Sequence, residues 1–237
     1  WDYPETMYWG RVKVHEWGGF STSQMRKDIE SGKFTGWSDP RLPTIAGLSG
    51  TGIQAEALRN FWVELGVTQK DISVPLSSLY SHNTKIIDDN APRISFIRDP
   101  VLLEISGNAK NSVEIPTHPN FPAMGNRKIS LKSQQVLIES TDYVDNKLRL
   151  KEFADFDISA KSAKFVSQER SDARKIIHWA SVDSSSNSTL KMVTDGEIIE
   201  IEGVLEHHNL SEGDIVQIER IGYGVIGEDN NIIFTHD

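Results

Sequence analysis

The sequence contains no cysteine and no long hydrophobic run. Without cysteine among its 237 residues, the chain can form neither a disulfide nor a thiolate metal site, which suits a reducing compartment. Its apolar runs are all far shorter than the roughly eighteen residues of a membrane-spanning helix, and no charged-then-apolar leader opens the chain. We therefore expect a soluble, unprocessed protein of the cytoplasm that binds no membrane.

Metal-ligand spacings are also missing. The seven histidines show no pairing at the intervals that metal sites use, and His207 and His208 are adjacent rather than one helical turn apart. We predict that this pair lies at the surface and that the chain holds no metal.

Positive charge is scarce, and its distribution is uneven. The net charge is −9, but residues 195–237 carry eleven carboxylates against Arg220 alone, which leaves the first 194 residues at about +1. Because nucleic-acid contact depends on local potential, a basic stripe elsewhere can still meet phosphate. The acidity argues against avid non-specific binding of RNA, and we expect no DNA partner.

Residues 20–48 change character three times. Gly18-Gly19 and the hydroxyl run Ser21–Ser23 predict a loop that leads into a short helix, which Gly32 ends. Such a helix start attracts phosphate through its bare N–H groups and its dipole. The segment Trp37–Thr44 contains two prolines and predicts a stiff, non-helical loop.

The pattern up to residue 89 is mainly helical, after a half-buried strand predicted at Arg11–His15. Apolar residues at helical spacing predict one amphipathic helix at Gln54–Leu65, ended by Gly66, and another that begins at Pro75. A large aromatic residue in such a stripe belongs to the core more often than to a binding surface, so we assign Trp62 and Tyr80 to the core.

Beyond Pro92 the hydrophobic period becomes two. Many short strands separated by turn residues, without helices between them, predict an antiparallel barrel or sandwich. Asp183–Ser188 is predicted to be a surface loop. The predicted strands are residues 95–97, 101–105, 112–115, 128–131, 136–138, 148–150, 163–166, 176–179, 189–193, 197–201, 215–218 and 231–234.

Short motifs are spread along nearly the whole chain: FSTSQM, GWSDPRLPT with IAGL and AEALRNF, DNAPR with RDP, HPN with MGNR, IHW, and ERIGYG. In this order they resemble landmarks of the class I aminoacyl-tRNA synthetases of the glutamyl and glutaminyl branch. The STS form of the first motif resembles the ATP loop of archaeal glutamyl-tRNA synthetases. The chain looks like the C-terminal part of such an enzyme, because no HIGH-type sequence and no opening βαβ unit are present.

This resemblance implies an α+β, multi-domain fold. Residues 1–20 would be a short remnant of the catalytic domain, and residues 21–91 the ATP loop with a small helical connecting domain. Residues 92–237 would form two antiparallel, anticodon-binding β-barrels, a proximal one (about 92–125 plus 180–237) and a distal one (about 126–179). Trp179 is expected to be buried where the barrels meet.

The resemblance also implies an ATP-binding loop. Its residues would be Ser21, Thr22, Ser23 and Gln24, with Lys27 close by to reach a phosphate. Thr22 and Gln24 stand where the family commonly has lysine, so this loop lacks cations that the family usually presents to the phosphates. ATP with Mg²⁺ would serve the parent enzyme, and no tightly bound cofactor is expected here.

Contacts with tRNA would depend on basic residues. Arg93 matches an arginine that the glutaminyl branch aims at the anticodon, and guanidinium suits stacking and base-edge contacts. In Lys147, Arg149 and Lys151 strand alternation places three cations on one face. Glu152, Asp155 and Asp157 stand where glutaminyl enzymes are basic, which suggests that the first or third anticodon base is read differently. The other candidates are Arg41, which could instead pair with Asp39, and Arg127, Arg174 and Lys175.

The resemblance implies the anticodon-recognition part of a ligase that activates glutamate with ATP and transfers it to tRNA(Glu). Whether tRNA(Gln) is a further partner stays open. Two alternatives also remain at this point: the same part of a glutaminyl-tRNA synthetase, and a non-catalytic RNA-binding β-barrel module. A plain structural barrel would leave Arg93 and the basic strand without a purpose.

Overall fold

The computed structural model of the chain describes residues 3–18, 21–143, 147–171 and 173–237. Trp1, Gly19 and Phe20, which belong to the predicted domain remnant and loop, lie outside these residues. The chain divides into two compact units, Trp1–Asp89 and Asn90–Asp237. The first is mainly helical and the second consists of strands, so the fold is mostly β-sheet with few helices.

The first unit packs its helices around a small apolar core. Phe61, Leu76 and Leu79 are buried there, and Leu58 and Tyr80 pack against them. Strands β1 and β2 pair in parallel beside them. The elements are α1 (Thr22–Glu30), α2 (Ile45–Gly50), α3 (Ala55–Leu65), α4 (Leu76–Ile87), β1 (Val12–Val14) and β2 (Ile72–Val74).

The predicted helices and their ends are confirmed. Ser21 caps α1, because its hydroxyl accepts a hydrogen bond from the N–H of Gln24 at 3.2 Å. Gly66 ends α3 at φ 64°, a left-handed conformation that glycine adopts most readily. Trp37–Thr44 contains no regular helix.

Two features of this unit differ from the prediction. Helix α2 was not predicted, since prolines precede it and it contains Gly47 and Gly50. Gly47 is required there, because a Cβ at this position would lie 2.6 Å from the carbonyl oxygen of Leu42. Assigning Trp62 to the core was wrong: it is 40% exposed and packs edge-on against Trp9 and Phe61.

The second unit contains sixteen strands within the described residues. They are β3 (Arg93–Ile94), β4 (Phe96–Arg98), β5 (Pro100–Ser106), β6 (Ser112–Pro116), β7 (Asn126–Ser130), β8 (Gln135–Glu139), β9 (Lys147–Leu150), β10 (Ala154–Ser159), β11 (Ser162–Ser167), β12 (Lys175–Ile177), β13 (Ala180–Ser181), β14 (Ser185–Thr194), β15 (Glu197–Glu206), β16 (Ile215–Ile218), β17 (Gly222–Ile226) and β18 (Ile232–His236).

Most of these strands form two seven-stranded sheets. The first has the order β12-β9-β10-β11-β5-β8-β13, and the second β3-β16-β17-β18-β14-β15-β4. In each sheet the two end strands are near neighbours along the chain, since one residue separates β3 from β4 and two separate β12 from β13. Each sheet therefore curls until its ends approach each other. β6 and β7 form a separate hairpin.

Each sheet encloses its own apolar core. Phe156, Leu148, Leu150 and Trp179 lie in the core of the first sheet, and the predicted burial of Trp179 is confirmed at 2% exposure. The core of the second sheet includes Phe96. Strand β5 pairs with β8 and β11, so it belongs to the first sheet.

Five assignments differ from the prediction, since β3, β10, β13 and β17 were not predicted and one predicted loop is a strand. Ser185–Ser188 is not loop but the start of β14, where Ser188 is buried and donates to the carbonyl oxygen of Asn230 at 2.8 Å. β10 contains two aspartates and β17 two glycines, and both residue types are depleted in strands. Pairing with neighbouring strands outweighs these local preferences.

A buried charge cluster joins the two sheets. Arg98 of β4 forms a two-pronged ion pair with Glu139 at the end of β8, at 2.7 and 3.2 Å. His178 lies beside Glu139, with its Nδ1 3.1 Å from Arg220 Nη1 and its Nε2 3.3 Å from the carbonyl oxygen of Phe96. An arginine can only donate, so Nδ1 accepts and the proton is on Nε2. Burial lowers the pKa of His178 and favours this neutral form.

The cluster continues through a buried aspartate. Asp142 binds the guanidinium of Arg220, which follows β16 in the second sheet, and Lys175 Nζ of the first sheet at 2.7 Å. Although burial raises the pKa of Asp142, the hydrogen bonds from Arg220 and Lys175 hold it below its ordinary value. This ionised carboxylate therefore joins both sheets.

A second cluster surrounds Glu206, at the end of β15. Its carboxylate lies 3.1 Å from Arg127 Nε and accepts from the N–H of Ser95 at 3.3 Å. Glu219 lies close by and also pairs with Arg127, at 3.3 Å. Burial raises the pKa of Glu206 to about 7, since the attraction of Arg127 only partly offsets it.

We predict that Gly203→Ala destabilises the second unit. A Cβ at residue 203 would lie 2.6 Å from both the carbonyl oxygen of Ile97 and the ring of Phe96, so a packed strand would have to shift. The expected loss is about 1–3 kcal/mol in the free energy of unfolding, measured by urea titration. The control is Gly50→Ala, where nothing lies within 4 Å of the added Cβ. Equal stabilities of the two variants would contradict this packing.

We predict that Glu206→Gln removes a pH dependence of stability. The folded chain holds the Glu206 proton up to about pH 7, whereas the unfolded chain releases it near pH 4.5. The wild type should therefore lose stability as the pH rises through this window. The free energy of unfolding of the variant minus that of the wild type should be larger at pH 8 than at pH 4 by up to about 3 kcal/mol. Glu200→Gln, on the exposed part of β15, is the control. Parallel pH profiles of wild type and Glu206→Gln would refute the prediction.

Candidate nucleic-acid interface

Strand β9 carries the predicted basic stripe. Leu148 and Leu150 are buried in the core, so Lys147 and Arg149 point to the opposite face. Lys151 follows the strand, and its Nζ lies 3.1 Å from Glu219. The alternation predicted from the sequence is confirmed for Lys147 and Arg149.

The arginines of this face form ion pairs with carboxylates of the neighbouring strand β10. Arg149 Nη1 donates to Asp155 at 2.7 Å, and Arg174 Nε lies 3.4 Å from the same carboxylate. Arg174 Nη1 also pairs with Asp157 at 2.8 Å. The side chains of Arg149 and Arg174 are only 12% and 8% exposed, so little of either guanidinium is open to a partner.

The lysines of this region remain far more open. The side chain of Lys175 is 56% exposed although Nζ binds Asp142, and that of Lys151 is 42% exposed beside Glu219. Lys147 is also exposed. These lysines therefore present the accessible positive charge of this surface, while Nζ of Lys175 and of Lys151 also contacts a buried carboxylate.

Arg93 and Arg127 lie deeper than expected for direct readers of RNA. Arg93 is 9% exposed, and its Nη1 donates to the carbonyl oxygen of Ala91 at 3.0 Å. Arg127 lies between Glu206 and Glu219 and is 16% exposed. Arg93 lies on β3, an end strand of the second sheet, and Arg127 pairs with carboxylates at the ends of β15 and β16.

Arg41 pairs with Asp39, one of the two arrangements that the sequence left open. Its Nε and Nη2 donate to the two carboxylate oxygens at 2.9 and 2.8 Å, and its guanidinium lies 4.8 Å from the ring centre of Phe34. These hydrogen bonds hold the pKa of Asp39 well below its ordinary value. The pair stiffens the WSDPR loop.

The predicted ATP-loop residues lie at the start of α1. Ser21, Thr22, Ser23 and Gln24 are all exposed, and the first turn of α1 contains no acidic residue that would repel a phosphate. Lys27 lies in the last turn, roughly 9 Å along the helix axis from Ser21. The helix start fits an anion but supplies no carboxylate for Mg²⁺.

The sequence did not reveal the carboxylates that organise this surface. Glu139, Asp142 and Glu206 are almost fully buried, and each ends or follows a strand of predicted core residues. A single acid at the end of an apolar strand is a weak signal. Whether such an acid forms a buried ion pair depends on a cation from a distant part of the chain, such as Arg98 for Glu139 or Arg220 for Asp142.

The described residues contain no group of three His, Asp or Glu side chains placed to hold a metal. None of the helices in the described ranges has the length and hydrophobicity to cross a membrane.

Comparisons with known proteins agree with the motif resemblance. Residues 91–175 match the family model of the anticodon-binding domain of class I tRNA synthetases (E and Q). The whole chain is 41% identical to glutamate–tRNA ligase of Methanosarcina mazei, 37% to that of Archaeoglobus fulgidus and 35% to that of Pyrococcus abyssi. It spans 43%, 43% and 44% of the length of these relatives.

The family match covers β9 and the arginines that surround it, and the similarity to the archaeal ligases extends over the helical unit as well. Residues 91–175 therefore match the anticodon-binding domain family of class I tRNA synthetases (E and Q), and the chain as a whole is similar to archaeal glutamate–tRNA ligases.

Proposed function

We propose that the chain is the tRNA-recognition portion of a glutamate–tRNA ligase and that it binds the anticodon arm of tRNA(Glu). The observation that carries this proposal is the match of residues 91–175 to an anticodon-binding domain. The cationic face at β9 lies within the matched residues. The similarity of the whole chain to ligases named for glutamate favours this function over that of a glutaminyl enzyme.

The parent enzyme would activate glutamate with ATP and Mg²⁺ and transfer the glutamyl group to tRNA(Glu). In this chain the start of α1, with Ser21, Thr22, Ser23 and Gln24, would contact a phosphate through N–H and hydroxyl groups. Lys27 would assist from the same helix. Because most of the catalytic domain would lie in the rest of the parent protein, we expect no aminoacylation by this portion alone. Its proposed location is the cytoplasm.

We further propose that the two curled sheets of the second unit are the two anticodon-binding barrels. The proximal barrel would comprise about 92–125 plus 180–237, and the distal one about 126–179, with β5 and β13 contributed to the sheet of the distal barrel. Residues 1–20 would complete the catalytic domain, and residues 21–91 would connect it to the barrels.

The exposure of the basic residues suggests two kinds of role. Lys147, Lys151 and Lys175 would contact RNA phosphates directly, since these side chains are exposed. In the second unit Arg93, Arg127, Arg149 and Arg174 would fix the shape of the surface and present the remaining edges of their guanidinium groups to bases. In the first unit Arg41 would be a separate tRNA contact.

This function predicts anticodon-dependent binding. We expect the chain to bind a transcript of tRNA(Glu) more tightly than an anticodon-substituted transcript, and Arg93→Ala to weaken the first interaction by about 1–3 kcal/mol. Filter binding across a KCl series would measure both effects. Arg93→Lys, which keeps the charge, should lose part of this affinity.

Lys191→Ala is the control, because this lysine pairs with Glu200 on β15, away from the basic strand. Thermal melting must show that the Arg93 variants are folded, since Arg93 is buried. If all proteins bound both transcripts equally and only the salt dependence remained, the anticodon would not be read, and a general RNA-binding or scaffold role would replace this proposal.

A further inference from the structure

Asp155 is the most highly connected carboxylate at the basic face. It lies on β10 and is 1% exposed. Its oxygens accept from Arg149 Nη1 at 2.7 Å and from the N–H of Ser171 at 3.0 Å, and Arg174 Nε lies at 3.4 Å. One buried carboxylate thus binds the neighbouring strand, the segment after β11 and the residue before β12.

The partners of Asp155 are linked to further groups. Arg149 Nη2 donates to the carbonyl oxygen of Gln168 at 3.2 Å, so Asp155 and Arg149 together hold both ends of the segment Gln168–Ser171. Arg174 Nη1 reaches Asp157 on the same strand as Asp155. Hydrogen bonds to Arg149 and to Asp155 therefore hold the two ends of this segment.

Stability alone does not explain this arrangement. A buried ion pair is often no more stabilising than apolar residues of similar volume, because both charges lose their hydration. A carboxylate near an RNA-binding face also repels phosphate. What a carboxylate that contacts three groups through both of its oxygens does provide is a fixed geometry. A rigid arrangement of cations loses less entropy when it binds.

We infer that Asp155 is a positioning residue for RNA recognition. It holds Arg149, Arg174 and the segment Gln168–Ser171 in one arrangement, so that the exposed cations Lys147, Arg170 and Lys175 meet the RNA at a defined spacing. Lys147 lies across from β10 on β9, Arg170 directly precedes Ser171, and Lys175 begins β12 beside β9. This inference rests on the proposed function.

Positioning and simple electrostatics predict opposite outcomes. If Asp155 acts only through its charge, Asp155→Asn should tighten the binding of every RNA, because one repulsive charge is lost. If Asp155 positions the surface, the same change should reduce the preference for tRNA(Glu) over an anticodon-substituted transcript. We expect this ratio of affinities to fall about fivefold or more, as for one lost specific contact.

The matched control is Glu104→Gln. This residue also carries a carboxylate and lies in the same sheet, but it is exposed and stands on β5, two strands away from β10. We expect Glu104→Gln to leave the ratio of the two affinities unchanged. Asp155→Glu provides a second variant, which keeps the charge but moves the carboxylate by one methylene. It should also lose the preference.

The experiment measures the binding of both transcripts to wild type and to the three variants, together with thermal melting. If Asp155→Asn does not fold, Asp155→Glu decides the question. Folded Asp155 variants that keep the wild-type ratio would overturn this inference while leaving the proposed function intact. A wild type that binds both transcripts equally would overturn the proposed function, and the inference with it.

Discussion

The pairing of buried carboxylates with guanidinium groups is the constraint on which the second unit depends. Glu139 binds Arg98 and Asp142 binds Arg220, and in each pair the two partners come from different sheets. Within the described residues no strand of one sheet pairs with a strand of the other. Removing one partner would leave an uncompensated buried charge, which is far more destabilising than losing the pair as a whole. The relative position of the sheets is therefore specified by charge as well as by apolar packing.

The same constraint explains how an acidic protein can present a cationic face. Much of its negative charge is exposed on the β14–β15 hairpin and the C-terminal strands, while buried carboxylates such as Asp155 neutralise arginines from within. The lysines then supply the accessible charge. A surface of this kind attracts phosphate weakly from a distance and holds it in a defined geometry at contact. This favours selective over avid binding.

Sequence patterns were sufficient to predict those features that depend only on residues close together in the chain. The caps at Ser21 and Gly66, helix α3 and the alternation along β9 follow from neighbouring residues, and the motif resemblance is confirmed by the relatives. Features that depend on distant partners were not predictable. The residues of β10 have a low propensity for strand, and β10 forms through its pairing with β9 and β11. The role of Asp142 depends on its ion pair with Arg220, which lies 78 residues away. The exposure of Trp62 likewise depends on packing that helical spacing does not encode.

The central claim is that the second unit recognises the anticodon arm, with the lysines near β9 at the contact. Hydroxyl-radical footprinting of a tRNA(Glu) transcript bound to the chain would test it most directly. The account predicts protection of the anticodon loop and the adjoining stem, reduced by substitution of Lys147 and Lys175. Protection confined to the acceptor stem, or spread evenly along the RNA, would contradict it.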